Sequence, residues 1–314
     1  MARTRFAPDH GLTARMTSVM FLLGGVFVAL VVAVMLYLPA GYAPIIAVIA
    51  IGIAWGQWYF SDTVAMKAMR AREVTPEEAP ELHAMIDRLC ALADMPKPRV
   101  GVADMNVPNA FATGRSPNRS VVCVTTGILG MLTADEMEGV LAHELSHVAH
   151  RDVTVMTIAS TAGIVAGMLG RGAQFGAMFG GGRSRDNNNG GAPAWVVILV
   201  ISLAVYAISF FLTRLLSRYR ELAADRAGAQ LTMKPRALAT ALQKISGGMN
   251  AIPTRDLRAS SAMNAFFIAP AIKGVSLSQL TSTHPSLEQR LQQLATIEAE
   301  LSRPVDGTEG PPAL

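Results

Sequence analysis

The chain has few charged residues for its length. Only 16% of its 314 residues are Asp, Glu, Lys or Arg, whereas 51% are hydrophobic. Soluble globular domains carry about 25% charged residues, so this composition does not suit an ordinary water-facing surface. The high hydrophobic content also excludes the disordered and fibrous classes. The composition therefore indicates a folded membrane protein.

Cysteines and runs of basic residues are scarce as well. Cys90 and Cys123 are the two cysteines, and they lack Cys-x-x-Cys spacing, which argues against a disulfide framework or a thiolate zinc site. We expect two buried thiols in a reducing, cytoplasm-facing domain. The 27 basic and 23 acidic residues give a net charge of +4 without a basic run. We therefore predict no nucleic-acid partner.

The hydrophobic residues are concentrated in four uncharged runs, at 18–38, 43–60, 153–170 and 192–213. The first run is long enough to cross ~30 Å of hydrocarbon as a helix and too long for a cleavable signal core. Pro39, Gly41 and Pro44 separate it from the second run. The first two runs therefore predict a transmembrane hairpin at 19–60, embedded in the lipid bilayer.

Basic residues indicate the orientation of this hairpin. They flank both of its ends, at Arg3, Arg5, Arg15, Lys67, Arg70 and Arg72. Because the turn between the two runs is uncharged, the positive-inside rule places both ends in the cytoplasm. The third and fourth runs can form a second hairpin, but Arg171, Arg183 and Arg185 in its Gly- and Asn-rich loop oppose an external position. Packing on the membrane surface stays an alternative, so we predict two to four transmembrane helices.

The segment after the first hairpin has the composition of a soluble domain. Its pattern predicts a helix from Pro76 to about Ala93, strands at 99–103 and 120–125, and an extended stretch at 109–111 between them. The capping-box pattern Thr133-Ala-Asp-Glu136 predicts another helix from about Ala134. A further amphipathic helix is predicted from 214 to about 247, and a last helix at 281–301. The predicted fold is mainly α with a small β-sheet (α+β).

The central motif is His143-Glu144-Leu145-Ser146-His147 on the predicted helix. Imidazoles at positions i and i+4 lie on one helix face, close enough to share a metal ion. Glu144 is about 100° round the helix from His143, so its carboxylate can reach a water on that metal. A pair of ordinary surface histidines is the alternative. The motif predicts a zinc site with Glu144 as general base.

A catalytic zinc ion needs a third protein ligand and one open position. The candidates are His150, His284 and an acidic residue elsewhere. His150 lies ~10 Å along a continuous helix from His143, too far to complete one tetrahedron. Glu221 has a second carboxylate, Asp225, at i+4, so that one carboxylate can bind metal while the other holds a ligand histidine. Such acidic pairs are common on solvated helix faces, so this pattern alone leaves the third ligand open.

The ordered set of motifs resembles the HtpX-type membrane zinc metalloproteases and, more distantly, the CAAX prenyl proteases. Besides the hydrophobic hairpin it comprises Asn109-Ala110-Phe111, the motif at 143–147 with Arg151-Asp152 behind it, Glu221 to Asp225, and Thr283-His284-Pro285 with Arg290. The resemblance implies a membrane-anchored, zincin-like fold.

That resemblance also implies roles for individual residues. One zinc ion per chain would be held by His143, His147 and Glu221, with Asp225 orienting a ligand histidine. The resemblance implies that an edge strand containing Asn109, Ala110 and Phe111 binds substrate backbone. It further implies that His284 stabilises the transition state, which makes Glu144 and His284 the predicted catalytic residues.

The implied function is that of a multi-pass zinc endopeptidase of the bacterial inner membrane, with its catalytic domain in the cytoplasm. Its implied partners are membrane or misfolded polypeptides, cleaved for quality control under stress. The alternatives are a CAAX-type prenyl-protein peptidase and a catalytically silent membrane-anchored binding or sensor protein. The oligomeric state is not predicted.

On this interpretation the chain divides into six segments. They are a cytoplasmic N-terminal segment (1–18), the transmembrane hairpin (19–60), a first catalytic part (61–152), a hydrophobic hairpin (153–213), a second catalytic part (214–302) and a disordered tail (303–314).

Overall fold

A computed structural model describes residues 10–37, 42–180, 194–251 and 283–303. The helices in these ranges are α1 (His10–Tyr37), α2 (Tyr42–Tyr59), α3 (Ser61–Ala68), α4 (Pro80–Ala93), α5 (Thr126–Met131), α6 (Ala134–Ala149), α7 (Asp152–Gly180), α8 (Ala194–Thr232), α9 (Pro235–Ala251) and α10 (Leu287–Leu301). The strands are β1 (Ala71–Glu73), β2 (Arg99–Ala103), β3 (Ala110–Ser116) and β4 (Arg119–Thr125). The prediction of a mainly α fold with a small sheet is confirmed.

The four strands form one mixed sheet in the order β1-β2-β4-β3. β2 and β4 are parallel, whereas β1 pairs with β2 and β3 pairs with β4 in the antiparallel sense. In the β3–β4 register, Ala110 lies opposite Val124 and Phe111 opposite Cys123. β3 is therefore an edge strand of this sheet, with one side of its backbone unpaired by any described strand.

The hydrophobic core of the soluble domain lies between the sheet and the helices α4, α6, α9 and α10. Fully buried side chains in it include Ile86, Leu89, Leu141, Leu145 and Leu242. Burying a side chain of this size stabilises a fold by about 1.5–3 kcal/mol relative to leaving it in water. α6 is buried on nearly all sides, and its N-terminus has the predicted capping box between Thr133 and Glu136. The core thus holds α6 rigidly at the centre of the domain.

Three described helices are long and apolar enough to cross a membrane, with candidate spans at Thr13–Ala33, Asp152–Phe175 and Trp195–Thr232. α2 is also uncharged over its 18 residues. Large apolar side chains on these helices face outward, and Phe21 is 81% and Leu36 74% exposed. A patch of this kind is unfavourable in water, so these surfaces face lipid. Three spans agree with the predicted range of two to four.

The long helices pack against one another as one bundle. Leu30 of α1 packs with Val165 of α7 and Val205 of α8. The C-terminal end of α2 is joined to the start of α7, because the indole N–H of Trp58 donates to Thr154 Oγ1 over 3.0 Å. One helical bundle therefore contains α1, α2, α7 and α8.

Two predicted helix starts were wrong by several residues. α4 begins at Pro80 rather than Pro76, because the residue before a proline disfavours helical backbone, and Ala79 has φ −141° and ψ 63°. Pro80 then occupies the first turn, where its missing N–H costs little. α10 begins at Leu287 rather than at 281, after a capping box formed by Ser286 and Gln289. Residues 281 and 282 lie outside the described ranges.

The long helices also extend beyond the predicted apolar runs. α7 continues to Gly180, where a loop had been expected after residue 170. The boundary placed between 213 and 214 falls inside α8, which is one helix of 39 residues from Ala194 to Thr232. The predicted amphipathic helix at 214–247 is interrupted at Met233, whose φ of 56° ends α8 before α9 begins. The remaining loop residues 181–191 and the tail from 304 lie outside the described part of the chain.

Candidate metal centre

The histidines of the motif lie on one face of α6. His143 is fully buried and His147 is close to the surface, and their rings are perpendicular with centroids 4.8 Å apart. Their Nε2 atoms approach to 3.2 Å. The i and i+4 spacing therefore brings two imidazole nitrogens to the same point.

α8 brings Glu221 to that point. Glu221 Oε2 lies 3.7 Å from His143 Nε2, and Oε1 lies 3.5 Å from His147 Nε2. The ligand atoms of these three residues all lie within 4.8 Å of one another, as a shared metal ion requires. α8 approaches closely because Gly228 packs on α6, where an added Cβ would be 2.8 Å from the backbone nitrogen of His143.

The Nδ1 atom of His143 faces a buried ion pair. Asp225 Oδ1 lies 2.9 Å from His143 Nδ1, and Arg290 of α10 binds both oxygens of Asp225 at 2.6 and 2.7 Å. Burial disfavours the imidazolium, but hydrogen bonds to Asp225 and Glu221 outweigh it and raise the pKa of His143 to about 9. The surroundings of His143 thus favour positive charge.

His147 has a corresponding partner that the sequence analysis missed. Asp152 Oδ2 lies 2.5 Å from His147 Nδ1 and 2.6 Å from a guanidinium nitrogen of Arg220. Asp152 directly follows Arg151, whose left-handed φ of 55° interrupts the helical conformation between α6 and α7. The one sequence signal was the Arg151-Asp152 pair that follows the motif, and spacing alone did not reveal that Asp152 folds back on His147.

Glu144 points from α6 to the edge strand. Its Oε2 accepts the backbone N–H of Ala112 over 2.9 Å. Burial is the main cause that raises the pKa of Glu144, and the neighbouring His143 and His147 partly oppose it. A buried carboxyl group with a raised pKa is suited to accept and later release a proton.

The backbone of β3 explains which of its residues face the metal site. Thr125 donates its N–H to Asn109 O over 2.9 Å, so the backbone of Asn109 faces β4. Because backbone groups alternate along a strand, Phe111 and Thr113 also face β4, whereas Ala110 and Ala112 face the open edge. The outward N–H of Ala112 that reaches Glu144 agrees with this alternation.

The side chains at 109–111 are buried, and the prediction concerned the backbone of this strand. Asn109 is fully buried. Phe111 is 5% exposed and packs with Ala65, Met69 and Cys123 on the sheet face that covers α3. The side chain of Phe111 therefore belongs to the core, and the backbone of Ala110 and Ala112 forms the edge that no described strand covers.

The two other candidate histidines lie in different places. His284 Nδ1 is 3.1 Å from Glu221 Oε2, beside the converging ligands. His150 lies at the C-cap of α6 and is not in the group of converging ligand atoms. The geometry therefore favours Glu221 over His150 as the third ligand.

The donor set suits a divalent metal ion. Two imidazole nitrogens and a carboxylate are ligands that metals of this class take in catalytic sites. Four carboxylates and two guanidinium groups surround the imidazoles, at Glu144, Asp152, Glu221, Asp225, Arg220 and Arg290. A divalent cation would offset the resulting excess of negative charge, so the residues fit such a group.

The chain matches known sequences over most of its length. Residues 76–298 match peptidase family M48. The chain is 52% identical over 301 residues to "Protease HtpX homolog 1" of Streptomyces coelicolor, covering 95% of this chain and 97% of that one. It is 50% identical over 300 residues to "Protease HtpX homolog" of Moorella thermoacetica, covering 95% and 98% of the two chains.

The fold is similar to that in a crystal structure of S. mikatae Ste24p. The TM-score is 0.54 at 16% sequence identity, over 91% of this chain and 67% of that one. At this identity the likeness concerns the fold alone. The sequence matches to M48 and to the HtpX relatives carry the assignment: the chain belongs to peptidase family M48 and is an HtpX-type membrane metalloprotease.

Proposed function

We propose that the chain is a zinc-dependent endopeptidase whose metal ligands are His143, His147 and Glu221. The observation that carries this proposal is the convergence of their ligand atoms within 4.8 Å, next to Glu144 and an open strand edge. Three protein ligands leave one coordination position open, as catalytic zinc sites do. One zinc ion per chain is expected.

Zinc is the metal that best suits two histidines and one glutamate in a peptidase. When bound, it supplies a Lewis acid that polarises the scissile carbonyl and makes water more acidic. Asp225, held by Arg290, orients His143 by accepting a hydrogen bond from its Nδ1–H. The remaining chemistry belongs to the side chains around the substrate.

Glu144 is the proposed general base. Its carboxylate takes a proton from the attacking water and then delivers it to the amine that leaves. Burial that raises the pKa of Glu144 brings the carboxyl group closer to the pH at which the enzyme works, which favours both transfers. The contact with the N–H of Ala112 keeps the carboxylate at the strand edge, where a substrate peptide bond would lie.

The substrate is proposed to add to the open edge of β3 as an extended chain. Main-chain groups of Ala110 and the carbonyl of Ala112 would pair with it while the Ala112 N–H donates to Glu144, giving affinity with little demand on side chains. This mode suits a protease with many substrates. His284, 3.1 Å from Glu221, is proposed to lie on the side where charge develops in the transition state.

The proposed location is the bacterial inner membrane, with the metal site on the cytoplasmic side. The uncharged turn of the first hairpin and its basic flanks support that orientation. The catalytic domain would consist of the segments 61–152 and 214–302, joined by the hydrophobic hairpin. Since α7 and α8 continue from the bilayer into the site, membrane or misfolded polypeptides near the surface are the proposed substrates.

The full-length protein in detergent micelles tests this proposal with casein as substrate. Cleavage is expected, with loss of activity when 1,10-phenanthroline removes the metal and recovery when zinc is added. Casein cleavage that survives complete metal removal would refute the zinc mechanism. Cleavage of a prenylated peptide but not of casein would identify a prenyl-protein peptidase, and zinc binding without any cleavage would identify a binding or sensor protein.

A further inference from the structure

Asp152 is the first residue of α7, and its side chain contacts residues of both α6 and α8. Its carboxylate contacts His147 Nδ1 at 2.5 Å and Arg220 at 2.6 Å, and its side chain is 5% exposed. Arg220 directly precedes Glu221 on α8. A single carboxylate at the start of a membrane helix therefore contacts one converging residue, His147, and the chain neighbour of another, Glu221.

We propose that Asp152, held by Arg220, is a positioning residue that sets the ring orientation of His147 and couples the metal centre to the hydrophobic hairpin α7–α8. This inference rests on the proposed zinc site. A histidine that binds metal through Nε2 carries its proton on Nδ1, and a carboxylate that accepts this proton fixes both the tautomer and the ring plane. Asp152 Oδ2 lies where that acceptor is needed.

The other ligand histidine has the same arrangement. His143 Nδ1 faces Asp225, and Asp225 is held by Arg290. The two sets are alike in chemistry but differ in origin, because Asp225 and Arg290 come from α8 and α10, whereas Asp152 comes from the start of α7. His147 is therefore the ligand whose orientation depends on where α7 begins.

Arg220 fixes Asp152 in turn. A buried carboxylate without a cationic partner is costly, so Arg220 makes the position of Asp152 possible. Displacing α7 against α8 would separate Asp152 from Arg220 and release His147. The metal affinity of the site should therefore depend on the packing of the membrane hairpin.

Metal affinity in full-length variants tests this proposal. Asp152→Asn keeps the shape of the side chain but removes its charge, and Arg220→Lys keeps a cation but removes the guanidinium that contacts Asp152. The matched control is Glu138→Gln, since Glu138 is a buried α6 carboxylate paired with Arg88 and Lys234, and no ligand histidine is among these partners. For each protein, bound zinc is measured against a graded chelator, together with the visible spectrum of the Co²⁺ form and the thermal midpoint.

Zinc affinity is expected to fall about 10–100-fold in Asp152→Asn, with an altered Co²⁺ spectrum, and by less in Arg220→Lys. Glu138→Gln should keep wild-type affinity and spectrum whatever its thermal midpoint. Wild-type affinity in Asp152→Asn, or in Arg220→Lys if the first variant does not fold, would overturn the inference. A loss of zinc affinity in Glu138→Gln in proportion to its lower thermal midpoint would also overturn it, because zinc affinity would then follow general stability. If the wild-type protein bound no zinc, the proposed function itself would fail.

Discussion

Ala112 on the edge strand donates its backbone N–H to Oε2 of Glu144 on α6, over 2.9 Å. The proposed general base therefore lies against the strand that would bind substrate backbone. Any extended chain that pairs with Ala112 must pass the Glu144 carboxylate. In the proposed mechanism, this contact places proton transfer beside the substrate backbone.

Glu144→Gln should abolish proteolysis without loss of zinc. The amide keeps the shape of the side chain and an oxygen that can accept from Ala112, but it removes the base, which contributes typically 10²–10⁴-fold of rate. Casein cleavage and bound zinc are measured on the same preparation, with exposed Glu81→Gln of α4 as the control that retains activity. Cleavage by the Glu144 variant at the wild-type rate would refute its role.

Proline substitutions test which backbone N–H groups of β3 point away from β4. Ala112→Pro removes an outward N–H and should leave the fold largely intact while lowering activity, since an edge strand tolerates proline where its N–H is unpaired in the ladder. Thr113→Pro removes an N–H that faces β4 and should lower the thermal midpoint. Equal destabilisation by the two variants would show that the assignment of the open edge is wrong.

Gly228→Ala should weaken metal binding from a distance. Its Cβ would be 2.8 Å from the backbone nitrogen of His143, so α8 must move away from α6 and carry Glu221 with it. Such overpacking typically costs about 1–3 kcal/mol of stability. Zinc content and thermal midpoint should both fall. Gly247→Ala in α9, where no atom lies within 4 Å of the added carbon, is the control and should not lower either quantity.

Both cysteines should resist alkylation in the folded protein. Burial raises the pKa of Cys90 to about 11 and that of Cys123 to about 12, so neither thiol ionises near neutral pH. Iodoacetamide at pH 8 should label neither residue until the chain is unfolded, when both thiols regain ordinary pKa values. Rapid labelling of the native protein, detected by mass spectrometry, would show that these thiols are accessible.

Local signals in the sequence were enough to predict the centre of the site. The capping box at Thr133 and Glu136 defines the start of α6, and the spacing of His143 and His147 places both rings on one face. These features depend on residues within a few turns of one helix. They were therefore predictable without knowledge of the tertiary structure.

The remaining features depend on contacts between distant segments. The approach of Glu221 to the histidines requires α8 to pack closely at Gly228, and periodicity does not specify which helices touch. The open edge at Ala112 follows from the strand order of the described sheet, and the burial of Phe111 follows from the sheet face on which its side chain lies. Asp152 was missed because its contact with His147 depends on the backbone reversal at Arg151.

Bound zinc in purified full-length variants tests the central claim most directly. Elemental analysis after mild chelation should find one zinc ion per chain in the wild-type protein and in His150→Ala. Glu221→Ala should lose the metal as severely as His147→Ala, because a catalytic zinc ion needs its third protein ligand. Full retention of zinc in Glu221→Ala, with loss in His150→Ala, would contradict the account and assign the third ligand to His150.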